Sequence, residues 1–258
     1  SKLHKIVKFV KDNNQTSVAI TDHGNISGVI KFHELCKKSE IKPILGCELY
    51  VCANQKSATD KSQSNRRLNH LVVLAKNKVG YQNLLKLVSI SNRPENYYYK
   101  NRIDEETLFK YSEGLIAING HYDTSVFDCL VFNLEAASLC NTVEEAKEYL
   151  HPDYKEQILE VANRYRAVFG DDFYIECQLF DQGDVVQQLT GLALYNWALE
   201  FGFPVVGTGD SHYIAPSDSK AHKTFVAIKQ NCKISSLPDI GYFNSGKYGI
   251  VTNQLAQE

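Results

Sequence analysis

The sequence predicts a mixed α/β fold in which largely parallel strands are covered by helices. Short apolar runs rich in Val and Ile alternate along the chain with segments whose apolar residues recur at helical spacing. The runs are continuous rather than alternating, which is typical of strands buried on both faces of a sheet. About six or seven such units in 258 residues favour a barrel, although an open doubly wound sheet also fits the pattern.

The elements follow one another in a regular order. The predicted strands are SVAIT (17–21), ILGCELYV (44–51), LVVLA (71–75), GLIAIN (114–119), FYIECQ (173–178) and PVVGT (204–208). Helices are predicted over residues 3–10, 29–38, 81–90, 104–111, 124–132, 143–150, 154–169, 187–201 and 217–230. The polar segments 53–69 and 91–102 predict loops.

Composition excludes several classes of protein. The formal charge of -2 gives no general attraction to nucleic acid, so any such contact requires a local patch or another domain. Seven cysteines without a C-x-x-C pair indicate a reduced, cytoplasmic chain. No apolar run reaches the length of about 20 residues that a membrane span requires. The chain opens on Ser1 rather than Met, which suggests a segment of a longer protein.

Imidazole and carboxylate groups recur at the predicted strand ends. The residues are Asp22 and His23 after SVAIT, Glu48 within ILGCELYV, His121 after GLIAIN, and Asp210 and His212 after PVVGT. Polar residues that follow parallel strands converge on one face of a barrel. These ligand types suit zinc, manganese or iron, and bound metal ions favour phosphoester hydrolysis. The pattern therefore predicts a metal site.

Each residue also has a structural explanation when taken singly. A histidine at a strand end is more often a hydrogen-bonded structural residue, and an Asp there is often a helix N-cap. Glu48 carries more weight because a carboxylate within an apolar strand must be paired or coordinated. Strand position alone excludes His70, which begins its strand and would lie at the opposite edge unless that strand runs differently. The remaining histidines are interpreted as surface or packing residues: His4, His33, His151 and His222.

Basic and aromatic residues cluster in two predicted loops. Arg66 and Arg67 lie in one loop, and Tyr97, Tyr98, Tyr99, Lys100 and Arg102 lie in the other. Such residues can bind nucleic acid by charge and stacking. A solvated loop is the favoured interpretation.

The same segments resemble a known family in order and spacing. They are AITDHGNISGVIKFHELCKKSEIKPILGCELYV, NHLVVLAKNKVGYQNLLKLVS, YYYKNRIDEETLFKYSEGLIAING, DFYIECQ and GFPVVGTGDSHYIAPSDSKAHKTFVAIKQ. They resemble the PHP (polymerase and histidinol phosphatase) domain of the bacterial DNA polymerase III alpha subunit, a C-family replicative polymerase. The resemblance implies a distorted (β/α)7 barrel over residues 1–258 that binds up to three Zn²⁺ or Mn²⁺ ions. The parent polymerase would use Mg²⁺.

The resemblance also implies roles for individual residues. The implied metal ligands are His23, Glu48 as a bridging ligand, His70, His121, Asp210 and His212, with Asp22 supporting His23 from outside the ligand set. Glu48, Asp210 and His212 are the implied catalytic residues. The family's first His-x-His motif is missing from this chain, and the polymerase core is expected beyond residue 258.

Three functions compete at this point. In the leading hypothesis the chain is the PHP domain of a DNA polymerase, acting as a metal-binding scaffold or as a 3′–5′ proofreading exonuclease. Its partners would be primer-template DNA, an exonuclease subunit and a sliding clamp. The alternatives are a free-standing phosphoesterase similar to histidinol phosphatase and a non-catalytic module that binds other replication subunits.

Overall fold

The computed structural model describes residues 1–52, 68–179, 181, 183–237 and 247–251. The predicted loop over residues 53–69 lies almost entirely outside these ranges. Nine strands are described: β1 Ser17–Ile20, β2 Lys42–Cys52, β3 Asn69–Ala75, β4 Tyr97–Tyr98, β5 Lys100–Asn101, β6 Ile103–Asp104, β7 Leu115–Asn119, β8 Phe173–Cys177 and β9 Val205–Gly207.

Ten α-helices are described in the same ranges. They are α1 Leu3–Asp12, α2 Val29–Lys38, α3 Lys78–Ser91, α4 Glu105–Lys110, α5 Ser125–Asp128, α6 Leu134–Ser138, α7 Val143–Ala146, α8 Tyr154–Phe169, α9 Val185–Phe201 and α10 Ser219–Gln230. Within the described part of the chain, no helix is both long and apolar enough to cross a membrane.

Seven strands form one curled sheet, a half-barrel of mixed α/β type, as the sequence predicts. The strand order is β1-β2-β3-β7-β8-β9, and β6 joins the sheet by pairing with β2. The pairs β1·β2, β2·β6, β7·β8 and β8·β9 are parallel. The prediction of parallel strands is wrong for β3, which pairs antiparallel with both β2 and β7.

The pairing of β3 with β2 shows the direction of β3. In an antiparallel pair the two strands run in opposite directions, so the first residues of one lie beside the last residues of the other. The pairing opens with Val51 opposite Asn69 and continues to Gly46 opposite Leu74. The start of β3 therefore lies at the edge at which β2 ends.

Two apolar clusters hold the helices to the sheet. The larger one packs β2, β3, β7 and β8 against α3, α8 and α9, with Leu84 and Phe173 fully buried. Trp197 belongs to this cluster, and its indole N–H donates to the carbonyl of Lys155 at 3.0 Å. The smaller cluster joins α1 and α2 to β1 through residues such as Val7 and Phe32.

Residues 124–150 differ from the predicted pair of helices. Three short helices occupy this stretch, and the side chains of Thr124, Asn133 and Thr142 each accept a hydrogen bond from the backbone N–H three residues on. Such residues begin helices and compete with helix interiors, so each one starts a new turn. The predicted loop 91–102 also contains structure, since β4 and β5 pair as a small antiparallel hairpin.

We expect the two adjacent leucines of α3 to differ sharply in their contribution to stability. Leu84 is 0% exposed and Leu85 is 39% exposed. Leu84→Ala should lower the free energy of unfolding by about 2–5 kcal/mol because it leaves a cavity in the larger cluster. Leu85→Ala, the matched control, should cost about 0.5 kcal/mol. Urea unfolding followed by circular dichroism measures both, and equal losses would contradict this packing.

Candidate metal centre

The predicted strand-end residues meet at one edge of the sheet. Because β3 runs antiparallel to its neighbours, its first residues lie where β2 and β7 end. His70 is therefore at this edge, opposite Tyr50 of β2. Its backbone N–H donates to the carbonyl of Asp123, which follows β7, at 2.7 Å.

Glu48 is the centre of the arrangement. Its Oε1 lies 2.6 Å from Nδ1 of His70 and 3.3 Å from Nε2 of His23. One potential ligand atom from each of these three residues lies within 4.8 Å of the other two, which is close enough for a single ion. The backbone holds His23 in place, since the N–H of Gly24 donates to the carbonyl of Glu48 and the N–H of Glu48 donates to that of Asp22.

His121 extends the group on its buried side. Its Nδ1 lies 2.5 Å from Oε2 of Glu176, and its Nε2 lies 3.9 Å from Oε1 of Glu48. Nε2 is buried and has no hydrogen-bond partner among the described residues. A histidine that donates one ring N–H to a carboxylate and directs the other nitrogen toward a second carboxylate has the arrangement of a metal ligand. The residues present therefore fit an ion.

Sequence reasoning missed Glu176, which fixes His121. This residue is 4% exposed within β8, and its carboxylate accepts hydrogen bonds from the hydroxyl of Thr208 and the amide of Gln178. Its position within FYIECQ could have revealed it, because any carboxylate within an apolar strand must be paired or coordinated.

A glycine lets the His121 loop approach β8. Gly120 has a φ of +146°, and a Cβ at this position would lie 2.5 Å from the carbonyl oxygen of Glu176. A side chain there would push the loop away from Glu176 and separate it from His121.

Asp210 and His212 face the same cavity from the segment after β9. Nδ1 of His212 lies 2.8 Å from the carbonyl oxygen of Asp210, and we assign it as the donor. The cleft of about 680 Å³ is lined by Asp22, His23, Glu48, His121, Glu176, Asp210 and His212, together with apolar side chains of β1, β3 and β9. The structure thus brings all the predicted residues to one region, with His70 contacting Glu48 from outside the cleft lining.

The histidines interpreted as surface or packing residues fall into two groups. His4 and His33 are exposed, and His151 is half-buried. His222 lies nearer the site than predicted, since its ring packs edge-on against His212 with 5.3 Å between centroids.

The charges of the cluster stabilise one another. Burial alone would raise the pKa of Glu48, but the imidazoles of His121, His70 and His23 beside it hold this pKa well below its usual range. Burial would lower the pKa of His121, but Glu176 and Glu48 outweigh it and raise the pKa to about 10. Asp210 differs, because burial raises its pKa despite the nearby His212. Glu48 is therefore an anion able to attract a cation.

Two buried thiols flank the carboxylates on the opposite face of the sheet. Cys47 and Cys177 adjoin Glu48 and Glu176, and both belong to the larger apolar cluster. Burial raises the pKa of each thiol to about 12. Both sulfurs therefore stay protonated at neutral pH.

Comparison with known proteins identifies the family of this chain. Residues 1–179 match the family model of the PHP domain. The chain belongs to the PHP domain family. This PHP domain is 37% identical over 235 residues to a DNA polymerase III subunit alpha of Borreliella burgdorferi, with 91% of the chain and 18% of the relative covered. It is 36% identical over 229 residues to that subunit of Treponema pallidum, with 88% and 18% covered.

The chain therefore spans less than a fifth of the length of these two relatives. Among solved structures, a proposed metal-dependent phosphoesterase from Bifidobacterium adolescentis aligns with a TM-score of 0.44 and 9% identity. That alignment covers 81% of this PHP domain and 82% of the other chain.

Removing the charge of Glu176 should weaken metal binding without unfolding the PHP domain. Glu176→Gln keeps an oxygen that can accept from His121 but no longer makes its ring a stronger base. We expect the affinity for Zn²⁺ to fall by about 10- to 100-fold, as is usual when the outer partner of a histidine ligand is lost. Competition with a chromophoric chelator measures the affinity.

Glu200→Gln is the matched control for this change. Glu200 pairs with Lys155 at the surface and is not part of the cleft lining. Its substitution should leave the Zn²⁺ affinity unchanged. An unaltered affinity in Glu176→Gln would contradict a supporting role for this carboxylate.

Proposed function

We propose that this PHP domain belongs to a C-family replicative DNA polymerase and that its cleft is a metal-dependent phosphodiesterase that removes nucleotides from a DNA 3′ end. The buried Nε2 of His121 carries the proposal, because this nitrogen has no hydrogen-bond partner among the described residues and faces Glu48, which also contacts His23 and His70. The names of the relatives support the polymerase context.

The donor set indicates the kind of ion. Imidazole nitrogens and carboxylate oxygens suit Zn²⁺ and Mn²⁺. His23, Glu48 and His70 would hold one ion, and His121, Asp210 and His212 would complete this site or form a second one. Asp22 would support the backbone of the His23 segment, since its carbonyl accepts the N–H of Glu48 at 3.1 Å.

The proposed reaction is hydrolysis of the last phosphodiester bond. A bound divalent ion would lower the pKa of a water molecule and offset the charge of the phosphate. The water oxygen bonds to phosphorus, the bond from phosphorus to the O3′ of the preceding nucleotide breaks, and this oxygen takes a proton. Asp210 and His212 line the cleft and would bind the phosphate or transfer the proton. The product is a nucleoside 5′-monophosphate.

The polymerase context implies further partners. We propose that residues 1–258 form one PHP domain within a cytoplasmic polymerase that extends primers with Mg²⁺. Primer-template DNA, an exonuclease subunit and a sliding clamp would be its partners. The 31–37% identity of the first five relatives, over about nine-tenths of this chain, supports this assignment.

Glu48→Gln tests the metal centre and its activity together. The variant keeps the size of the side chain but removes the charge shared by three histidines. We expect Zn²⁺ or Mn²⁺ affinity to fall by roughly 100-fold or more, since loss of an outer partner alone costs about 10- to 100-fold. Release of nucleotides from a 3′-labelled single strand should fall in parallel. Metal content and product release are measured on the same preparations.

Glu34→Gln on α2 is the control, because its side chain is 54% exposed and pairs with Lys31 in the same helix. It should retain both metal and activity. Metal bound without any nucleotide release by the unsubstituted chain would contradict the nuclease and leave a structural metal site.

A further inference from the structure

We propose that the β4–β5 hairpin binds single-stranded DNA beside the metal centre, with Lys100 contacting a backbone phosphate and Tyr97 and Tyr99 stacking on bases. This inference rests on the proposed function, since the bound strand is the one whose 3′ end would be hydrolysed. It names the surface and residues that would bring the strand to the cleft.

The first observation places a cation next to the cluster. Nζ of Lys100 lies 4.3 Å from the centroid of the Tyr50 ring. The same ring lies 4.9 Å from the ring of His70 and 6.2 Å from that of His23. One aromatic ring therefore separates the ammonium group from the candidate ligands.

Lys100 is a cation with a second cation, Lys229, and two carboxylates, Asp123 and Glu48, near it. Burial and the like charge of Lys229 on α10 lower its pKa, while Asp123 and Glu48 act in the opposite direction. A phosphate would offset both cations. A single strand advances about 3.4 Å or more per nucleotide, so a phosphate at Lys100 belongs to one of the first few nucleotides behind the end at the cluster.

The second observation is a pair of exposed aromatic side chains on the same hairpin. Tyr97 is 57% exposed and Tyr99 is 81% exposed. Tyr99 forms the turn with a φ of +61°, a conformation that aromatic residues rarely adopt. Aromatic rings beside a basic group are how proteins bind single strands without regard to sequence, because every base offers a face for stacking.

The hairpin is fixed to the metal centre. Asn101 donates to the carbonyl of Gly24, the residue after His23, at 2.7 Å and to the hydroxyl of Ser91 at 3.2 Å. The strand that follows, β6, pairs with the end of β2. A DNA strand on the hairpin would therefore keep a constant position relative to His23 and Glu48.

Binding of a fluorescent oligo(dT) of about 12 nucleotides, within the range of single-strand site sizes, tests this inference. Phosphorothioate linkages at its 3′ end prevent hydrolysis, and anisotropy is measured over a series of salt concentrations. Lys100→Gln should weaken binding several-fold. It should also reduce the slope of log K against log salt by about 0.7, the value for one phosphate contact on a single strand.

The tyrosine variants should behave differently. Tyr97→Ala and Tyr99→Ala should each weaken binding by about 5- to 100-fold while leaving the salt slope unchanged, because stacking releases no counterions. Lys110→Gln is the matched control, since Nζ of Lys110 also lies over a tyrosine ring, at 5.6 Å from the centroid of Tyr111, but Lys110 belongs to α4 and not to the hairpin. It should bind as the unsubstituted chain does.

The outcomes separate this inference from the proposed function. No measurable binding by the unsubstituted chain, or equal affinity and slope in Lys100→Gln, would overturn the hairpin site even if Glu48→Gln abolishes hydrolysis. Conversely, the predicted binding changes without any hydrolysis would support the hairpin and overturn the nuclease.

Discussion

The antiparallel run of β3 between β2 and β7 is the constraint on which the candidate site depends. It places the first residues of β3 at the edge where its neighbours end, so that His70 reaches Glu48 at 2.6 Å. If β3 ran in the opposite direction over the same positions, the same histidine would lie opposite Gly46, about four residues of strand away, roughly 13 Å at 3.3 Å per residue. Glu48 would then lose its shortest contact, and its buried charge would be less well compensated.

The sequence predicted the mixed α/β class and most of the residues at this edge because both follow from local patterns. Apolar runs identify strands, and polar groups at their ends identify a face. Strand direction is different, since it depends on how neighbouring segments pair. Position alone therefore excluded His70, and the family resemblance was needed to include it. Glu176 is a different case, since it lies within the apolar run FYIECQ as Glu48 lies within ILGCELYV, and a carboxylate in such a strand must be paired or coordinated.

The secondary structure predicted for residues 91–150 is partly wrong because local structures of similar stability compete there. Threonine and asparagine side chains cap three short helices where apolar periodicity predicts two longer ones. The tyrosine-rich segment contains a hairpin of two residues on each side, held by Asn101 and by the pairing of β6. Contacts as distant in sequence as Gly24 decide this conformation, and no local pattern reports them.

Side chains alternate between the two faces of the sheet along β2 and β8, and this alternation limits which metal ions can bind in the cleft. On each strand a carboxylate faces the histidines, and the adjacent thiol points into the apolar cluster, where burial raises its pKa to about 12. Neither Cys47 nor Cys177 can reach the cleft without a slip of one residue that would also withdraw Glu48 or Glu176. The pleat of the sheet therefore directs both sulfur atoms away from the cleft. Thiophilic ions such as Cu(I) are disfavoured there, although thiols lie one residue away.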